Sequence, residues 1–360
     1  MEENTPIVID NGAFKIKAGF AGDDAPRSIF RTIVLPEYKY STQPQNFIGD
    51  STLNKMNQNI LVSPMIENGE ILDWDQMQAI WNHIFSYELR VDPTQRPICI
   101  SQQPFASQKQ KQKIAEIFFE VFKIPAISIP IGSVLSIMGT GRTTALAVEI
   151  GHDLSYCYAT YEGYHPRKSL IQLPITGSII DQLLTVHLQR NGFYANSFAD
   201  QEIIREIKES HCYISQNFTQ ELRNPKQHNF KTSNNQQFSL ISELFVSTES
   251  FFNPNLVNLS GLSFQQLINK AIMKCGMDAR KDLFSNIVLI GGSSMFPGLA
   301  DRLRSEIAPL APPKATVQVS ASPERKLLEW IGGSIFASLS LFSSQILTRQ
   351  QFEENPNHNF

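Results

Sequence analysis

Residues 7–9 are apolar and lead into Asp10. After Asn11-Gly12 the chain alternates, with Phe14, Ile16, Ala18 and Phe20 set against Lys15 and Lys17. Period-two alternation on both sides of an Asn-Gly pair predicts a β-hairpin. The same plan returns further on: residues 144–150 are apolar and end Glu149-Ile150-Gly151, and 154–160 alternate again. A carboxylate that closes a buried strand beside a glycine turn suits a metal–phosphate group, because the turn leaves backbone N–H groups free. Two strand, acid-x-Gly, turn, strand units predict two related α/β halves.

Helical spacing fills the intervals. Met77, Ile80, Trp81, Ile84 and Phe85 share one face of a helix predicted over 74–89, with Asp73 or Asp75 as its cap. Ile114, Ile117, Phe118, Val121 and Phe122 repeat at i, i+3, i+4, i+7 and i+8 and mark a second. Lys109, Lys111 and Lys113 ahead of it alternate with glutamine and read as a solvated face. Further strands are predicted over 29–35, 98–101 and 286–290, and further helices over 177–190, 199–218 and 323–339. Pro297 is placed to open another helix. Residues 36–45 are polar, with Pro36 and Pro44, and read as a loop. Residues 216–238 are rich in Asn and Gln and read as a surface excursion with little to bury.

A chain of 360 residues is long enough for two domains with full cores. Hydrophobic content of 42% and charged content of 18% are ordinary for a soluble protein. A net charge of −3 gives no general attraction to nucleic acid or an anionic membrane. Cys99, Cys157, Cys212 and Cys275 stand far apart, which favours reduced core thiols inside a cell over a zinc site. The start has no signal-peptide profile, and no apolar run approaches the roughly 18 residues that span a bilayer.

The run DNG followed by KAGFAGDDAPR resembles the amino-terminal signature of actin and the actin-related proteins. The likeness continues through WDQMQAIWNHIFSYELRV, YEGY, GGSSMFPGLADR and PERKLLEWIGGSIFASLS, so it covers nearly the whole chain in one order. It implies the two-domain α/β fold of the actin, Hsp70 and hexokinase superfamily, with a central nucleotide cleft. The outer domain would take 1–139 plus 328–360, with 32–63 as an inserted subdomain. The inner domain would take 140–327, with 176–258 inserted, and hinges would lie near 132–141 and 322–328.

The resemblance implies a site for ATP or ADP with magnesium. Asp10 and Glu149 match the acids that organise the metal's waters, Lys17 a phosphate lysine, and Gly12 and Gly151 the two phosphate-loop glycines. Gly177, Arg205, Lys208, Glu209, Gly292, Ser293, Met295, Phe296 and Lys326 match the base and ribose contacts, with Phe296 offering a stacking face where actins carry tyrosine. The phosphate end departs from the pattern. Actins read DNGSG where this chain has Ala13 and Phe14, and DSGDG where it has His152 and Asp153, His152 being a candidate phosphate ligand in its own right. Gly132 stands where actins orient the attacking water with glutamine, and Tyr156 where they carry a supporting histidine. Lost groups of this kind typically cost about 10²–10⁴ in rate. The expectation is a site that holds nucleotide weakly or not at all, with no catalytic residue.

An apolar interface cleft is matched by Met138, Ile335, Leu339 and Leu341, with Gln345 at its edge. The loop over 36–45 is shorter than the one actins insert into a filament neighbour, and the plug segment over 253–262 carries asparagines that would need partners if buried. The expected function is a structural subunit of a cytoskeletal or multi-protein assembly. Its partners would be proteins in a hetero-complex, actin or actin-binding proteins among them, with no direct nucleic-acid or membrane contact. A cytoplasmic, cytoskeletal location is expected, with the nucleus as the alternative. The rival reading is a conventional actin-type ATPase whose hydrolysis gates polymerisation. A small-molecule kinase is disfavoured by the actin-specific DDAPR, YEGY and PERK segments.

Overall fold

The computed structural model describes residues 4–35, 47–55, 64–258 and 261–355. The loop over 36–45, with Pro36 and Pro44, lies outside the described residues, as do most of 32–63 and part of the plug segment. The described chain forms two compact units: one runs up to Arg142 and resumes at Leu327, and the other spans Thr143–Lys326.

The first unit is built on strands β1 (Ile7–Asn11), β2 (Lys15–Phe20), β3 (Ser28–Arg31), β4 (Ile98–Ile100) and β5 (Ala126–Ser128). They lie in the order β3-β2-β1-β4-β5, and Leu347–Thr348 adds an antiparallel edge beside β5. Strands β1, β4 and β5 are parallel, whereas β1-β2-β3 is an antiparallel meander. The hairpin predicted around Asn11-Gly12 is present, with Asp10 opposite Lys17.

The second unit repeats this plan with β6 (Ala145–Ile150), β7 (Ser155–Thr160), β8 (Ile171–Gln172), β9 (Ile287–Ile290) and β10 (Val319–Ser320), in the order β8-β7-β6-β9-β10. Here too the hairpin β6-β7 is antiparallel while β6, β9 and β10 are parallel. Glu149 faces Tyr156 in the register at which Asp10 faces Lys17. The repeated acid-x-Gly pattern thus marks a repeated topology. Strands β6 and β7 are buried on both faces, as expected of a sheet covered on each side.

Helices cover the sheets. In the first unit α1 (Trp74–His83) is capped by Asp73, whose carboxylate accepts from the Gln76 amide at 2.9 Å. The face predicted for it is buried, but Ile84–Glu88 widens into a π-turn and Arg90, at φ 52°, ends it. Helix α2 (Gln108–Glu120) stops one residue before Val121. Val121 is 49% exposed, whereas Phe119 is buried against Phe352, with ring centroids 4.9 Å apart. Helix α3 (Gly132–Gly139) packs on the helix Leu328–Ser338 so closely that a Cβ on Gly332 would lie 1.7 Å from the Leu135 carbonyl oxygen. That second helix begins at Leu328 and not near Pro323, because the Arg325 guanidinium ties the preceding turn to the carbonyls of Ser294 and Ser322.

In the second unit α4 (Gly177–Arg190) has the predicted ends, and α5 (Phe198–His211) carries a Ser197–Asp200 capping box. Helix α5 ends at Cys212 in extended backbone, ahead of 218. The tract over 216–238 is more than a surface excursion: it holds a helix, Phe218–Arg223, and pairs His228–Lys231 with Gln237–Leu240. Phe238 and Leu240 from that hairpin are buried in the unit's core, which anchors the polar tract. Pro297 precedes Gly298, the N-cap of the helix Leu299–Ile307. Asn253, Asn255 and Asn258 are exposed, so they need no protein partners.

All four cysteines are free and buried. Burial pushes the Cys99 and Cys212 thiols up to about 12, and raises Cys157 and Cys275 as well. Among the described residues no helix is long and apolar enough to cross a membrane.

Candidate functional site

In the first unit the candidate residues gather at the carboxyl ends of the parallel strands β1, β4 and β5, the edge where open α/β sheets place ligands. Asp10 is 3% exposed and forms an ion pair with Lys17, its partner across the hairpin. Asn11 accepts from the Trp81 indole at 3.2 Å, and Thr32 donates to the Gly12 carbonyl at 2.7 Å, which fixes the turn. A side chain at Gly12 is excluded, since its Cβ would lie 2.4 Å from the Lys15 carbonyl oxygen. The Phe14 ring packs towards its own hairpin's cations, 5.1 Å from the Arg31 guanidinium and 5.9 Å from the Lys15 ammonium.

Gly132 begins α3, and its amide donates to the Gln102 carbonyl at 2.9 Å. Glu329, buried in the first turn of the helix Leu328–Ser338, lies directly on it. A Cβ on Gly132 would come within 2.2 Å of the Glu329 carboxylate. The space a side chain at 132 would use is therefore filled from another helix. Exchanging Gly132 for glutamine requires Glu329 to move first.

The second unit repeats the hairpin chemistry with different groups. Glu149 is 6% exposed and accepts from the Tyr156 hydroxyl at 2.9 Å, with Tyr156 itself fully buried. Gly151 cannot carry a side chain, because its Cβ would meet the Leu154 carbonyl oxygen at 2.5 Å. Three backbone turns converge beside it. The amides of Gly177 and Ser178 at the start of α4 donate to the carbonyls of Gly151 and His152 at 2.9 and 2.8 Å. Gly291, at φ 88°, approaches the Ile150 carbonyl, and a Cβ on Gly177 would strike the Ser293 hydroxyl at 2.2 Å. The structure thus brings Gly151, Gly177 and Ser293 together. Gly292 is exposed, with open space where its Cβ would point.

Lys208 joins this group from α5, nearly buried, donating to the Gly177 carbonyl at 3.2 Å and to the Asp181 carboxylate at 2.8 Å. Asp181 escaped the sequence reading, yet it organises the corner: Arg205 Nε and His152 Nδ1 each lie 3.9 Å from it. Burial raises its carboxyl above the usual carboxylate range, and the Lys208 ammonium opposes that shift. Its place one turn into an amphipathic helix gives no sequence signal beyond an ordinary polar position. Glu209 and Lys326 are exposed, and Met295 is half-buried. Phe296 requires a correction: its ring is buried in the core, 5.9 Å from Phe251, and so does not offer a free stacking face.

The residues fit a nucleotide unevenly. Gly177, Lys208, Ser293 and the open space at Gly292 suit a nucleoside with its nearer phosphates. In the first unit, the space beside Gly132 is taken by the Glu329 carboxylate. Among the described residues no cluster of three or more His, Cys, Asp or Glu is placed to hold a metal directly.

On the first unit, Ile335 and Leu339 stand one helical turn apart and are 38% and 45% exposed, with Leu341 at 57%. Met138 is half-buried against the cluster of Phe336 and Phe342, and Gln345 is exposed. The residues expected to line an interface thus present apolar side chains at the surface.

Comparison with known proteins agrees with the repeated topology. The family model described as Actin matches residues 1–358. The chain is similar to Centractin of Schizosaccharomyces pombe, at 35% identity over 371 aligned positions that cover 99% of this chain and 96% of that protein. With its duplicated acid-x-Gly hairpins and a match along nearly its full length, the chain belongs to the actin family.

Proposed function

We propose that this actin-family protein is a structural subunit of a cytoskeletal hetero-assembly, with a reduced nucleotide site and little or no ATP hydrolysis. The observation that carries the assembly reading is the exposure of three large apolar side chains, Ile335, Leu339 and Leu341, close together along the chain. Solvated surfaces rarely keep large apolar residues grouped unless a partner covers them. An amphipathic helix or loop of another protein suits such a groove, with i, i+4 anchors meeting Ile335 and Leu339. The likeness to Centractin supports an actin-related role of this kind. The short polar loop over 36–45, with its two prolines, favours receiving a partner over inserting into a neighbour of the same kind.

The reduced site is inferred from Gly132, Phe14 and the Tyr156–Glu149 pair. ADP is the better fit of the two nucleotides, held by Gly177, Lys208 and the turn at Gly292–Ser293.

The test uses the tagged full chain recovered from its native extract. Ile335→Asp with Leu341→Asp is expected to strip away most co-purifying chains, while circular dichroism and melting temperature stay near those of the parent. An unchanged set of partners on the double variant contradicts the assembly reading.

A further inference from the structure

A groove of about 470 Å³ opens on the first unit between the end of α2 and the helix Arg349–Glu354. Its floor is the stacked pair Phe119 and Phe352. Among the described residues that line it, three carboxylates, Glu116, Glu120 and Glu353, are set against one guanidinium, Arg349. Glu116 and Glu120 stand four apart on α2, as Arg349 and Glu353 do on the other helix, so each pair shares a helix face.

The helices alone do not favour acids in these places. A helix ends in unsatisfied carbonyls and the negative end of its dipole, where basic side chains are stabilising and acidic ones are not. Neither helix has a basic residue in its last turn: α2 ends on Glu120, and the other helix on Glu353 and Glu354. Existing pairs offset part of the charge. Lys113 donates to Glu116 at 2.8 Å, and Arg349 donates to Glu353 at 3.1 Å and to the Phe119 carbonyl at 3.2 Å. With Lys113 and Glu354 included, the carboxylates still outnumber the cations, and Glu120 and Glu353 are exposed at the rim.

We propose that this groove is a docking surface for a basic segment of another protein. The segment lays the aliphatic stems of lysine or arginine on the Phe119–Phe352 floor and brings their charged heads to Glu116, Glu120 and Glu353. Such side chains bury the stem on apolar surface and keep the head with water or a counter-charge, which is the combination the groove offers. An acidic segment is repelled, and a purely apolar one leaves the carboxylates desolvated without a partner. The inference goes beyond the assembly reading, which stands on Ile335, Leu339 and Leu341, and it involves no nucleotide.

The test is fluorescence anisotropy of the full chain with two labelled peptides, one of leucine and lysine at helical spacing and one with glutamate for every lysine. The parent is expected to bind the lysine peptide about tenfold or more tighter, with the advantage falling as salt rises. Glu116→Gln, Glu120→Gln and Glu353→Gln together are expected to weaken that binding about tenfold. A control of equal net charge, Glu67→Gln, Asp278→Asn and Glu324→Gln at exposed positions outside the groove, is expected to leave it near the parent value. A photo-cross-linker on the lysine peptide should mark α2 and the helix Arg349–Glu354. Circular dichroism reports on folding, and should the triple variant fold poorly, Glu120→Lys carries the comparison. Equal loss in the control, cross-links outside the two helices, or a parent that binds both peptides alike or neither overturns the inference. Self-association of the parent that the triple variant abolishes overturns it too, since the occupant would then be a second copy of this chain.

Discussion

Single-turnover phosphate release with magnesium should run about 10²–10⁴ slower than that of a conventional actin measured alongside. The expectation comes from three positions. Gly132 has no side chain to orient water, and the space beside it belongs to Glu329. Tyr156 is fully buried, with its hydroxyl donating to Glu149 at 2.9 Å, so it is poorly placed to relay a proton. Phe14 occupies the turn where the family's pattern has a glycine, and its ring packs near Arg31. Gly132 and Tyr156 stand where the resemblance implies a water-orienting glutamine and a supporting histidine, and losses of that kind lower kcat without requiring nucleotide to leave. Release at an actin-like rate would refute the non-hydrolysing reading. Adding glutamine at 132 alone is not expected to rescue turnover, because its Cβ meets the Glu329 carboxylate.

The largest stability effect is expected at Arg302. Its guanidinium is nearly buried and donates to the Glu249 carboxylate at 3.1 and 3.3 Å, to the Ser215 carbonyl at 2.6 Å and to Glu306 at 2.7 Å. Arg302→Ala leaves Glu249, 5% exposed, as a buried charge without its counter-ion. Removing one partner of such a pair costs about 3–5 kcal/mol. Burial already raises the Glu249 carboxyl, with Arg302 opposing the shift, so loss of the arginine raises it further. A carboxyl raised in the folded state binds more protons there than in the unfolded chain, and stability then falls as pH rises through that window. The deficit of Arg302→Ala is therefore expected to shrink as pH is lowered from neutrality towards the carboxylate range. Denaturant melts at several pH values check this; a deficit below about 1 kcal/mol at neutral pH would contradict it.

Much of the fold was legible because the signals were local. The Asn-Gly hairpin, the second acid-x-Gly unit, the Asp73 cap and both ends of the helix Gly177–Arg190 follow from neighbours in sequence. Features that depend on distant chain were not. Val121 continues the helical period yet is exposed. Phe238 and Leu240 anchor a tract whose composition is otherwise polar. Phe296 sits beside the glycine turn in sequence, but its ring belongs to the core near Phe251.

The candidate site divides in the same way. Glycines at 12, 151 and 177 announce themselves by pattern and resemblance, and each is confined by contacts a Cβ could not share. Asp181 and Glu329 do not. Both are acidic residues on helices, where a solvated carboxylate is the ordinary expectation, and only tertiary packing reveals that one holds Lys208 and the other fills the space at Gly132. The single charge in LLEWIGG, between buried Leu328 and Trp330, was the available hint.

The central claim, a subunit that joins other chains and does not polymerise with itself, is tested most directly by sedimenting the pure protein in salt and magnesium, with electron microscopy of the pellet. The account predicts that the protein stays in the supernatant as a soluble monomer. Long homopolymers in the pellet would contradict it.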